Sequence, residues 1–252
     1  FETPGVSATQ REHLFSYAGT HRMTEAQVRR ARQCYYGRTA FVDHVCGVLL
    51  DALADRGELD RTLITYIADH GTHLGDHGFF QKQSFWDASA RVPFFITGPG
   101  IRTATVPTPI NTGSLLPTLM DIVGIAIPEQ VHYPSLAPTL KTGIPPAASP
   151  VFSEIDYGNW YYRSGERYVM LRDGRWKLSL YRAPRDPTRY AGREDRVLFD
   201  LENDPLEYHN LIAPAALAHD PSYAEIVTTL LGKLEAWDRG RPLVTPRVVN
   251  GH

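Results

Sequence analysis

Residues 24–56, TEAQVRRARQCYYGRTAFVDHVCGVLLDALADR, carry apolar positions at Val28, Ala31, Cys34 or Tyr35, Val42, Val45, Val48 and Leu49. That spacing predicts one long helix, with Thr24 as its N-cap and Gly57 as its stop. The pattern then shortens. TLITYIA at 62–68 is a run rich in β-branched residues and predicts a buried strand. RVPFFIT at 91–97, stopped by Gly-Pro-Gly, predicts another. NTGSLLPTLMDIVGI predicts a helix with Ser114 as N-cap, Pro117 in the first turn and Gly124 at the end. Residues 126–150 are rich in Pro and Ala and predict a surface connection with a domain boundary in it.

After 150 the period becomes two. YVMLRDGRWKLSLY places an Asp-Gly pair between two alternating runs, which predicts a hairpin. RVLFDL adds a strand, and SYAEIVTTLLGKLEAW at 222–237 an amphipathic last helix. The expected architecture is α/β over 1–148, followed by a smaller α+β part with an antiparallel sheet over 149–252. The chain has no internal repeat and no low-complexity tract.

Composition changes this picture little. The 252 residues are 42% hydrophobic and 21% charged, with net charge −2, so charge gives no support for a nucleic-acid or membrane-surface partner. There is no apolar run of about eighteen residues. A soluble chain is expected, cytoplasmic or exported. The first residue is Phe1, and FETPGVSATQ is not a signal peptide, which points to a processed or partial chain. Cys34 and Cys46 share the long predicted helix, roughly 18 Å apart along its axis, too far for a bond between them.

The chemistry concentrates in ADHGTHLGDHGFFQK at 68–82, directly after a predicted strand, where α/β sheets hold ligands. Asp69 and His70 offer an oxygen and a nitrogen suited to Ca²⁺, Mn²⁺ or Zn²⁺, although two donors are too few for a site. Lys82 offers a compact positive charge for an anionic oxygen. Gly71, Gly75 and Gly78 let the loop turn sharply. An anion held between a metal and an ammonium suits transfer of a phosphoryl or sulfuryl group. The same residues also read as a solvated turn beside a surface lysine, with His73 and His77 hydrogen-bonding the backbone. From the residues alone this is a candidate metal and anion site.

The stretch DHGTHLGDHGFFQKQSFWDASARVPFFITGPG closely resembles the sulfatase family of the alkaline-phosphatase superfamily. YYGRTAFVDHVCGVLLDAL resembles the family's helix before the metal strand, SLLPTLMDIVGI its Asp-x-x-Pro-Thr helix, and DGRWKLSLY with LFDLENDPLEYHNL its C-terminal hairpin and signature. The resemblance implies the C-terminal part of an alkaline-phosphatase-like α/β/α sandwich, followed by a smaller antiparallel sheet with a C-terminal helix. It implies that Asp69 and His70 are metal ligands, for Ca²⁺ with Mn²⁺ or Zn²⁺ as alternatives. It implies that Lys82 contacts the sulfate and the leaving-group oxygen, that His77 is catalytic or orders the loop, and that Asp76 braces it. His73 has no family role and is expected to face the substrate.

The family's nucleophile, a formylglycine made in a Cys-x-Pro/Ala-x-Arg segment, has no match here. Cys34 and Arg38 have the spacing, but Tyr36 stands between them and the segment lies in a predicted helix; Cys34 and Cys46 are expected to be packing residues. The chain thus resembles the C-terminal half of a sulfatase. Its partners would be the N-terminal half and a sulfate-ester small molecule or carbohydrate, with no nucleic acid and no membrane. Ser114 stands where the family carries Asp. Two other readings stay open: a phosphonate monoesterase or phosphodiesterase of the same superfamily, and a non-enzymatic binding module. Tyr157, Trp160, Tyr161 and Tyr162 read either as a stacking surface for a sugar or aryl group or as cover for the join between sheets.

Overall fold

The computed structural model describes residues 20–82, 84–156, 167–182 and 194–239. The aromatic run that carries Tyr157, Trp160, Tyr161 and Tyr162 lies outside them.

Helix α1 spans Glu25–Asp55. The Thr24 hydroxyl accepts the Gln27 N–H, and the Gln27 side chain accepts the Thr24 N–H, so two backbone donors at the helix start are satisfied reciprocally. Gly57 follows the last turn with φ +65°, a conformation that carries a steric penalty for any residue with a Cβ. Cys34 and Cys46 both lie on α1 as free thiols. No residue of α1 is buried. Its N-terminal end nevertheless rests on the histidine-rich loop: Arg32 Nε donates to the Leu74 carbonyl at 2.5 Å, and its guanidinium lies 3.3 Å from the Asp76 carboxylate.

Strands β1 (Ile64–Ile67) and β2 (Phe94–Thr97) pair antiparallel, from Ile64 opposite Thr97 to Ile67 opposite Phe94. The Asp69–His70 end of β1 therefore lies beside the start of β2. Between them sits the four-residue helix α2, Asp87–Ala90. Helix α3 (Leu115–Ile122) follows a 3₁₀ turn at Thr112–Ser114. The cap is one turn earlier than the sequence predicts. The Asn111 side chain accepts the Gly113 N–H, whereas Ser114 has helical angles and makes no side-chain cap bond. The expected 126–150 connection is interrupted by the short helix α4, Ala137–Thr142. Thr118 ties it to α3, donating to the Ser114 carbonyl and accepting the Leu136 N–H.

The C-terminal part is a four-stranded antiparallel sheet in the order β3 (Val151–Asp156), β4 (Arg167–Asp173), β5 (Trp176–Arg182), β6 (Glu194–Asp200). Helices α5 (Pro214–His219) and α6 (Tyr223–Arg239) are the last described elements. Both faces of the sheet are covered, and the period of two sorts its residues. Val169, Leu171, Leu178, Leu180 and Leu198 pack against Val227, Leu230 and Leu234 of α6. Tyr168, Met170, Tyr181, Val197 and Phe199 pack against Phe79, Phe85 and Trp86 from the segment after the histidine loop. Burial of these apolar faces is the driving force that fixes the segment on the sheet. On β5 the second face reads Lys177, Ser179, Tyr181, so a lysine points into it and is 1% exposed.

The signature after β6 is a set of local hydrogen bonds. Asp200, at the end of β6, pairs with Arg175 in the β4–β5 turn and accepts from the Asn203 side chain, and the Arg175 bond above all holds its carboxyl below the usual range. Asn210 accepts the Leu198 and Ile212 N–H groups, closing the loop back onto β6. Among the described residues no helix is long and apolar enough to cross a membrane.

Candidate metal and anion site

The loop from Gly71 to Lys82 is held by its own backbone. The His73 N–H donates to the Gln81 carbonyl at 2.9 Å, and the Gly75 N–H to the Phe79 carbonyl at 2.6 Å. Five of its residues have positive φ: Leu74, Gly75, His77, Gly78 and Gln81. Gly75 at φ +97° is also close-packed, since a Cβ there would stand 3.0 Å from Val28 of α1. The three non-glycine residues among them are strained unless the surroundings over-determine them. For His77 the surroundings do so: its ring stacks on Trp86 with centroids 4.5 Å apart and planes 14° from parallel.

This loop brings three of the predicted residues together. Lys82 Nζ lies 2.5 Å from His70 Nε2, and Asp69 Oδ2 lies 3.3 Å from the same nitrogen. His70 Nδ1 lies 2.8 Å from the Gly71 carbonyl, which only accepts. The proton therefore sits on Nδ1 and the Nε2 lone pair faces Asp69 and Lys82. That is the tautomer of a metal-ligating histidine, with its second nitrogen donating to a fixed acceptor. The donor set fits a divalent cation, with the Asp69 carboxylate largely solvent-accessible. Among the described residues no cluster of three or more His, Cys, Asp or Glu forms, so a complete coordination shell needs ligands beyond these two.

All three residues line one cleft of about 1080 Å³. Its far wall comes from the C-terminal sheet, including Arg172 and Lys177, with Asp87 between. His73 and His77 do not line it. They lie beneath the loop, 1% and 8% exposed, where His73 Nε2 meets Ser84 Oγ at 2.7 Å. Burial, and after it the neighbouring His77, lowers the pKa of His73 to about 4. Burial also lowers that of His77, against the pull of Asp76 and Asp204. Asp76 braces the loop through Arg32.

The lysine and acids of the far wall were not foreseen. Lys177 Nζ donates to Asp87 Oδ1 at 2.5 Å and to Glu207 Oε1 at 2.6 Å. The Asp87 N–H donates to Glu207 Oε2 at 2.5 Å. The signal for Lys177 was its place in KLSLY, an alternating strand whose two faces are both covered.

Two family profiles match the chain: sulfatase over residues 7–125, and the C-terminal region of N-sulphoglucosamine sulphohydrolase over 75–239. The chain belongs to the sulfatase family. It is 36% identical to a choline-sulfatase of Rhizobium meliloti over 195 residues, 75% of this chain and 34% of that protein. It is 29% identical to an arylsulfatase of Clostridium perfringens over 224 residues, 86% of this chain and 44% of that protein. The chain thus spans well under half the length of these relatives. Among solved structures it matches a 2-O GAG sulfatase at TM-score 0.69 and 28% identity, covering 91% of this chain and 45% of that one. It also matches the phosphonate monoester hydrolase of Agrobacterium radiobacter at TM-score 0.62 and 29% identity, covering 80% and 41%. The expected fold class, a C-terminal sulfatase portion ending in an antiparallel sheet and a helix, is the one found.

Proposed function

We propose that this chain is the metal- and anion-holding C-terminal portion of a sulfatase that hydrolyses sulfate monoesters. The observation that carries the reading is the convergence of Asp69, His70 and Lys82 on one cleft. Asp69 and His70 hold a divalent cation, Ca²⁺ in the first instance and Mn²⁺ or Zn²⁺ as alternatives, which when bound supplies an electrophile for the non-bridging oxygens of the ester. Lys82 faces the leaving-group oxygen and offsets the charge that develops there as the bond to sulfur breaks. His77 and His73 hold the loop from beneath, keeping Lys82 in register with His70. The nucleophile in this reading, a formylglycine, and the remaining ligands belong to an N-terminal half outside this sequence; alone, this chain turns over no ester.

The test is Lys82→Ala in an enzyme that contains both halves, with metal content measured beside turnover of an aryl sulfate. The expected result is a loss of about 10²–10³ in kcat with metal retained. Unchanged turnover at full metal content removes Lys82 from the reaction. The likeness to a phosphonate monoester hydrolase favours one second reading, in which the same cleft takes a phosphonate monoester. Rates on the two esters, measured side by side on one preparation, assign the chain to one or the other.

A further inference from the structure

We infer that Lys177 and Glu207 are positioning residues for this site: they clamp α2 against the strand end that carries Asp69 and His70. What the clamp serves rests on the functional reading above; the clamp itself rests on hydrogen bonds and burial.

The chain of contacts is short. Lys177 stands on the inward face of β5 and is 1% exposed, as is Glu207. A buried ammonium needs its charge and its donors matched. Asp87 and Glu207 do both, and Arg172, directly opposite Lys177 across the β4–β5 ladder, adds a longer contact to Asp87 at 3.8 Å. Glu207 has φ +59°, a backbone conformation that favours glycine, so its carboxylate is held in the core against a local cost. The two oxygens of that carboxylate divide the work. One takes the Lys177 ammonium and the other takes the N–H of Asp87, the first residue of α2.

Helix α2 passes the constraint on. The Gly71 N–H donates to the Ser89 carbonyl at 2.7 Å. A Cβ on Gly71 would stand 2.2 Å from the Ala88 carbonyl oxygen, so backbone touches backbone with no room between. Gly71 in turn offers the carbonyl that fixes the His70 tautomer. The C-terminal sheet thereby sets the place of α2, α2 sets Gly71, and Gly71 sets the nitrogen that faces Lys82. Four residues of α2 have no helical stability of their own, so tertiary contacts set their place: the clamp, together with the burial of Phe85 and Trp86 just before them.

The test uses the complete enzyme, both halves present, as wild type and as Lys177→Met and Glu207→Gln. Two readouts are taken: amide hydrogen exchange of peptides covering 69–73 and 87–91, and kcat against KM for an aryl sulfate. The expected result for Lys177→Met is exchange about tenfold faster in those peptides, with α6 as protected as before. Alongside it, kcat falls about tenfold or more while KM stays within about threefold. Glu207→Gln, which keeps an acceptor for the Asp87 N–H, is expected to lie between Lys177→Met and wild type in both. Unchanged exchange at 69–73, loosening spread equally over α6, or a retained kcat overturns the inference. If Lys177→Met yields no folded enzyme, Glu207→Gln decides by the same two readouts. Wild-type enzyme inert towards sulfate esters sinks the functional reading instead, and exchange alone then decides the clamp.

Discussion

Nε2 of His73 lies 2.7 Å from Oγ of Ser84, in packing that leaves His73 1% exposed. Its pKa of about 4 in the fold stands below the 6.5 of an unhindered histidine, first because burial disfavours the imidazolium and next because His77 is close. The unfolded chain therefore takes up a proton between those values that the folded chain refuses. Stability is full above pH 6.5 and falls as pH drops towards 4. Between pH 7.5 and 5 this one group removes about 2 kcal/mol. Urea unfolding at the two pH values, on wild type and His73→Gln, isolates it: the variant is expected to show a pH difference smaller by about that amount. Identical pH differences would mean that His73 is not kept neutral by the fold.

Gly71 has no room for a side chain. The obstruction is the Ala88 carbonyl, a backbone atom that cannot rotate aside. Gly71→Ala must therefore separate the β1 end from α2 and break the bond from the Gly71 N–H to the Ser89 carbonyl. The expected destabilisation is about 2–4 kcal/mol, read by thermal or denaturant unfolding. Ca²⁺ affinity of the two-half enzyme is expected to fall with it, because His70 loses its fixed acceptor. A variant as stable as wild type would show that α2 yields easily, contrary to its buried anchoring.

Asn111 and Ser114 compete on paper for the start of α3, and the structure gives the role to Asn111. Its side chain accepts the Gly113 N–H at 2.9 Å and donates to the Phe152 carbonyl on β3 at 2.8 Å. Asn111→Ala loses a cap and a tie between the two parts of the chain, together about 1–2 kcal/mol. Ser114→Ala keeps the backbone carbonyl that Thr118 uses and is expected to cost less. Thermal unfolding of the two variants orders them, and the reverse order would return the cap to Ser114.

The ordering of Asn111 before Ser114 shows where the sequence was hard to read. Both residue types cap helices, and only the inserted 3₁₀ turn, a half-ångström matter of rise, decides between them. Thr24 was legible because the residue three positions on, Gln27, completes a reciprocal pair that few other conformations satisfy. Asp69, His70 and Lys82 stood out as candidate chemistry because charge is dense among glycines there, although the same residues also read as a solvated turn beside a surface lysine. The approach of Lys82 to His70 at 2.5 Å depends on eleven intervening residues turning through five positive-φ positions, which no periodicity encodes. His73 and His77 show the converse. As imidazoles in a glycine-rich loop they read as site groups, yet Trp86 and Phe79 offer an apolar bed that takes both rings. Lys177 was hidden because a lysine in a hairpin is ordinarily solvated. Only the covering of both sheet faces makes it a buried cation.

Helix α1 carries its apolar stripe into solvent: Phe41 is 67% exposed, Val48 54% and Leu49 62%, and Phe95 on β2 is 54% exposed. Scattered apolar residues on a surface mean little, but a stripe at helical spacing along a 31-residue helix is the kind of patch that marks an interaction site. In the proposed enzyme its occupant is the N-terminal half of the fold, the part of the relatives that lies outside the 34–44% of their length covered by the chain. Two outcomes follow from that assignment. The 252-residue chain on its own is expected to self-associate at micromolar concentration, and Phe41→Glu with Leu49→Glu to suppress this, as read by sedimentation velocity. Placed in the two-half enzyme, the same pair is expected to lower thermal stability by several degrees, because two carboxylates are then buried without partners. If the pair leaves the complete enzyme as stable as wild type, α1 faces solvent there too, and the N-terminal half meets this chain elsewhere.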